Sequence, residues 1–153
     1  MGQLIPKDKI SSYIGFQTEP TEWFKVEQSQ INAFADATLD HQFIHVDAEK
    51  AAKTPFGSTI AHGFLSLSML AHFAESFSVG IEGVKMGINY GFDKVRFLTP
   101  VKVNSEIRAL ATIDTIIEKS PGKFMITFSV TVEIKGEEKP ALMAQWLTMQ
   151  IVD

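Results

Sequence analysis

Between Lys123 and Lys135 the chain alternates strictly: Phe124, Ile126, Phe128, Val130, Val132 and Ile134 are apolar, and the positions between them are mostly polar. A period of two predicts a strand with one buried and one solvated face. Ile107, Ala109, Ala111 and Ile113 carry the same pattern just upstream. Ser120-Pro121-Gly122 and residues 135–140 are rich in turn formers, so these strands are joined by short connections. Short connections imply antiparallel neighbours. A last strand is predicted over Leu142–Val152, and residues 86–103 hold one or two more.

The first half of the chain follows a helical period. Ile31, Phe34, Ala35 and Leu39 predict a helix over 27–39, with Glu27 near its positive start. Asp47 can cap a short helix that Thr54-Pro55-Phe56-Gly57 stops. The segment from Gly63 to Phe77 is so apolar that it predicts a helix buried on most sides. Helices first, then antiparallel strands, predict an α+β fold in which a sheet wraps one apolar helix.

Composition narrows the setting. A chain of 153 residues has the length of one ordinary domain, so residues 1–153 are predicted to form a single domain. Its net charge of −4 argues against a nucleic-acid or anionic-membrane partner, since both attract basic patches. With no cysteine there is neither a disulfide framework nor a thiolate nucleophile. The first residues lack the apolar core of a signal peptide, and no run of uncharged apolar residues reaches membrane-spanning length. A soluble, cytoplasmic protein is the expectation.

The densest cluster of ionisable groups in an apolar setting is Asp40-His41-Gln42-Phe43-Ile44-His45-Val46-Asp47. Asp40 and His45 lie five apart, which separates them on either a helix or a strand. They can meet only if the chain turns between them. A carboxylate beside an imidazole could trade protons with a water near neutral pH. The residue types equally allow Asp40 as a helix terminator and His45 as a surface histidine. His41 and His45 also have His-x-x-x-His spacing, but Gln42 stands where a zinc protease needs its glutamate base, so no metal is expected.

Ala61-His62-Gly63 opens the apolar helix. The first amides of a helix have no internal partner, so the Gly63 N–H can hold a thioester oxygen as it gains charge, or Gly63 can simply ease a turn. His62 reads as a structural ring at the helix start. Ser66 and Ser68 lack a nucleophile-elbow setting, and the glycines from Gly80 to Gly91 form no phosphate-binding loop. Lys85, Lys94 and Arg96 read as a solvated strand face rather than a phosphate site.

Taken together, residues 40–47 and Phe56-Gly57-Ser58-Thr59-Ile60-Ala61-His62-Gly63-Phe64 resemble the MaoC-like, or (R)-specific, enoyl-CoA hydratases, closest to the branch named after the nodulation protein NodN. The resemblance runs from Ile31 through Asn89-Tyr90-Gly91-Phe92-Asp93-Lys94-Val95-Arg96-Phe97 to the last strands. It implies a hot-dog fold and a homodimer or higher homo-oligomer, with the acyl chain entering a tunnel near the subunit interface. It also implies reversible hydration of a trans-2-enoyl thioester. Asp40 and His45 would hold the reacting water, and the Gly63 amide would polarise the thioester carbonyl. The carrier would be coenzyme A or acyl carrier protein, with no further cofactor. Gln42-Phe43 stand where many members have Asn-Pro, and Leu39 stands where a glycine often precedes the aspartate. A hot-dog thioesterase and a non-catalytic acyl-thioester binder are the alternatives.

Overall fold

A computed structural model describes residues 3–153. The chain begins with a short strand β1 (Leu4–Ile5), a turn of 3-10 helix (Lys7–Tyr13) and β2 (Phe24–Lys25). Then come α1 (Gln28–Thr38), α2 (Phe43–Val46), α3 (Ala48–Ala52), α4 (Gly63–Ser68) and α5 (Leu70–Phe77). The rest is sheet: β3 (Gly80–Ile81), β4 (Val84–Phe97), β5 (Glu106–Ser120), β6 (Lys123–Ile134) and β7 (Leu142–Val152).

The main sheet has the order β2-β5-β6-β7-β4, every neighbour antiparallel, and a two-stranded parallel pair β1-β3 stands beside it. The alternating residues of β5 and β6 turn one face to the core: Ile107, Ala109, Ala111, Ile113, Ile126, Phe128, Val130 and Val132 are all buried. Against that face lie Leu70, Phe73 and Phe77 of α5, the last meeting Phe128 edge to face at 6.3 Å between centroids. Each such side chain gains about 1.5–3 kcal/mol by leaving water. This is the hot-dog arrangement, a curled antiparallel sheet around a central helix.

One expectation needs correction. The 63–77 helix is not buried on most sides: Phe64 is 68% exposed, and Ala71 also faces outward. The helix packs on β5 and β6 with one side, and the side turned toward β4 borders a cleft instead of core. Of the one or two strands expected in 86–103 there is one, because β4 runs unbroken through three register shifts against β7.

The sheet's two edges are finished differently. Residues 15–21 strap the free edge of β5, with the Gly15 and Thr18 amides donating to Ile113 O and Ala111 O. The Thr18 and Thr21 hydroxyls accept from the amides of Ala111 and Ala109. The far edge of β4 pairs with no strand among the described residues, and Met86, Ile88 and Tyr90 on it are exposed. No helix among these residues is long and apolar enough to cross a membrane.

Candidate active site

The chain turns between Asp40 and His45 because α1 ends abruptly. Leu39 sits in the left-handed region at φ 62°, a position that favours glycine, and is 82% exposed. Asp40 follows, its carboxylate accepting the Gln42 amide at 3.3 Å. The single turn α2 then carries His45 inward, so that only 6% of it is exposed.

His45 is clamped from both sides. Its Nδ1 lies 2.7 Å from the Ile60 carbonyl, and the Ile60 amide donates back to Ile44 O at 3.0 Å. A carbonyl only accepts, so Nδ1 carries the proton and Nε2 of the neutral ring presents a lone pair. Gln28 of α1 donates to the His45 carbonyl at 2.7 Å and accepts from the Thr59 hydroxyl at 2.5 Å. Burial pushes the His45 imidazole below the ordinary histidine value of 6.5; the Ile60 carbonyl opposes this, the His62 ring lowers it further, and the Asp40 carboxylate raises it. Neutral His45 is therefore the resting form at pH 7.

His62 is the residue that sequence reasoning undervalued. Its ring stacks on His45 with 3.8 Å between centroids and 23° between planes, and only 2% of it is exposed. Its Nε2 donates to the Asp40 carbonyl at 3.0 Å and stands 4.0 Å from the Asp40 carboxylate. Its Nδ1 is buried without a hydrogen-bond partner among the described residues. Nothing local in the sequence separates this ring from a packed one, because Asp40 is 22 residues away.

Side-chain ligand atoms of Asp40, His45 and His62 fall within 4.8 Å of one another. The two rings are nearly parallel, which aims their nitrogens side by side, whereas a tetrahedral ion needs them to converge. The sequence's other metal candidate separates in space, since His41 turns outward to Asp36 at 2.9 Å. Phe43, which stands with Gln42 in place of Asn-Pro, is exposed and does not line the His45 pocket.

Gly63 opens α4, and its amide has no acceptor among the described residues. A Cβ on Gly63 would lie 3.0 Å from the Phe97 ring, so glycine is what allows β4 to close over the helix start here. His45, Gly63 and Ser66 share a pocket of about 270 Å³ with Phe97, Thr99 and Val101. Two further cavities follow the helix along β4. One, of about 280 Å³, is lined by Leu67, Ala71, Tyr90 and Phe92. The next, of about 260 Å³, is lined by Ala71, Ala74, Ile88 and Thr148, and Trp146 borders both. His45 and the Gly63 amide thus stand at one end of a mostly apolar cleft, with the Asp40 carboxylate beside the two stacked rings.

The MaoC like domain family matches residues 9–136. Nodulation protein N of Rhizobium leguminosarum bv. viciae is 46% identical over 141 residues, covering 92% of this chain and 88% of that protein. The 3-hydroxyacyl-thioester dehydratase Z of Mycobacterium tuberculosis is 43% identical over 136 residues, 89% of each chain. Among solved structures, the monoamine oxidase regulatory protein from Archaeoglobus superposes with a TM-score of 0.76 at 28% identity, covering 92% of this chain and 91% of that one.

Proposed function

The chain belongs to the MaoC-like family of hydratases and dehydratases, and on that premise we propose that it reversibly hydrates trans-2-enoyl thioesters to (R)-3-hydroxyacyl thioesters. The observation that carries this reading is the pairing of the Asp40 carboxylate with a neutral His45 whose second nitrogen is bare, His45 lining one pocket with Gly63.

The water is held between Asp40, which accepts one of its hydrogens, and Nε2 of His45. As the water oxygen bonds to the β-carbon, its proton passes to Nε2 and the double-bond pair moves toward the thioester. The oxygen that gains charge meets the Gly63 N–H, reinforced by the positive end of α4. The proton then returns to the α-carbon, so that the elements of one water have been added and the dyad is restored. Dehydration runs the same steps backward. No metal or redox group enters, and coenzyme A or acyl carrier protein comes with the substrate.

The cleft beyond the pocket supports an acyl substrate. From Gly63 to Ala74 the helix rises roughly 16 Å at ~1.5 Å per residue, and the cavities along it have apolar walls. The unpaired edge of β4, with its exposed Met86, Ile88 and Tyr90, supports a homodimer formed there. The double substitution Met86→Lys with Ile88→Lys is expected to halve the mass measured in solution.

Incubation with crotonyl-CoA and a longer trans-2-enoyl-CoA, followed by chiral separation of the products, tests the function. Formation of (R)-3-hydroxyacyl-CoA is the expected result. Free thiol released from a saturated acyl-CoA would favour a thioesterase, and tight binding without turnover would favour a binding protein.

A further inference from the structure

His62 touches both members of the proposed dyad and belongs to neither. Its Nε2–H is spent on the main chain of Asp40, at 3.0 Å. Its ring covers one face of His45 at 3.8 Å. Phe34 packs against it at 4.9 Å between centroids, so the ring cannot tilt away without opening a void. The remaining nitrogen, Nδ1, has no hydrogen-bond partner among the described residues. Leaving a buried polar atom unpaired is costly, and a phenylalanine of similar shape would avoid that cost. A histidine kept here under that penalty points to a task that an apolar ring cannot perform.

We propose that His62 is a positioning residue: by hanging from the Asp40 main chain and lying flat against His45, one buried ring sets the place of both groups that handle the water. The catalytic half of this inference rests on the hydratase reading, and the structural half does not. The αL turn at Leu39 leaves Asp40 on an exposed loop, its carboxylate accepting a long bond from the Gln42 amide. The His62 donor is the contact that ties this loop to the rigid start of α4. Stacking works on the partner: a proton arriving on His45 meets a second imidazole at van der Waals distance, which disfavours charge there. The charged or titratable groups facing His45 are His62 from the start of α4 and Asp40 from the loop after α1, and they act in opposite directions.

Two variants divide these roles. His62→Phe keeps the ring and removes the donor; His62→Gln places an amide N–H near the position of Nε2 and removes the ring. NMR titration of the His45 ring protons reads the coupling whether or not the protein turns over, and kinetics on crotonyl-CoA read the positioning. His45 should titrate at higher pH in both variants. The rate limb that depends on neutral His45 should then fall away at higher pH than in wild type. In His62→Phe, kcat should drop about 10²-fold with KM little changed, the scale of a misplaced catalytic group. His62→Gln should recover at least part of that loss. An unmoved His45 titration in both variants, or a His62→Gln no more active than His62→Phe, would overturn the proposal. A wild-type protein without hydratase activity would instead overturn the function, and the NMR titration would still decide whether His62 couples to His45.

Discussion

The two ends of the central helix are built to different rules. At the far end, Leu70, Phe73 and Phe77 sit fully packed on the sheet. At the near end, α4 begins beside two buried histidines, an unpaired imidazole nitrogen, an unpaired amide and a leucine in a left-handed turn. The far end is apolar packing; the near end holds the buried polar atoms and the left-handed leucine. Strained and unsatisfied groups persist where surrounding structure fixes them, and they gather at sites that do chemistry. The sheet and α5 supply the rigidity, and the loop from Leu39 to Val46 with the start of α4 uses it.

The sharpest way to break this division is through the dyad. Asp40→Asn and His45→Ala should each remove about 10²–10⁴-fold of the hydration rate, as loss of a general acid or base does, while the melting transition stays near wild type. Phe73→Ala should do the reverse, costing about 3–5 kcal/mol in chemical denaturation with the surviving folded protein still active. Gly63→Ala tests the seam between the regions. The added methyl meets Phe97, a side chain that can shift, so the fold should survive while kcat falls about ten- to a hundredfold. Smallest is Leu39→Gly, which frees a residue from the left-handed region and should add roughly 1 kcal/mol of stability, since the leucine buries little.

The same division governs what the sequence made legible. β6 and the first half of β5 could be read residue by residue, because a half-buried strand writes its environment as a period of two, whereas β7 was legible only as an apolar run. The Asp47 cap was equally readable, and the Lys50 amide indeed donates to it at 3.0 Å. β1, β2 and β3 have two residues each, too few to show any period. The strap over β5 works through the Thr18 and Thr21 hydroxyls, which follow no periodicity. At the site, residue types singled out Asp40 and His45, but no pattern could state that they meet; that depended on the paired-motif resemblance. His62 read as packing because its partners, Asp40 and His45, come from another part of the chain. The exposed side of the 63–77 helix was misread for a related reason: apolar residues lining a cleft look the same in sequence as apolar residues in a core.

The most direct test of the account is the absorbance of the conjugated enoyl thioester when purified wild-type protein and Asp40→Asn, both shown to be folded, meet crotonyl-CoA at neutral pH. The account predicts that the absorbance decays with wild type and holds nearly steady with Asp40→Asn, a difference of about 10²-fold or more. Decay in the variant at more than about a tenth of the wild-type rate would contradict the role given to Asp40, and a steady signal with wild type would contradict the hydratase assignment itself.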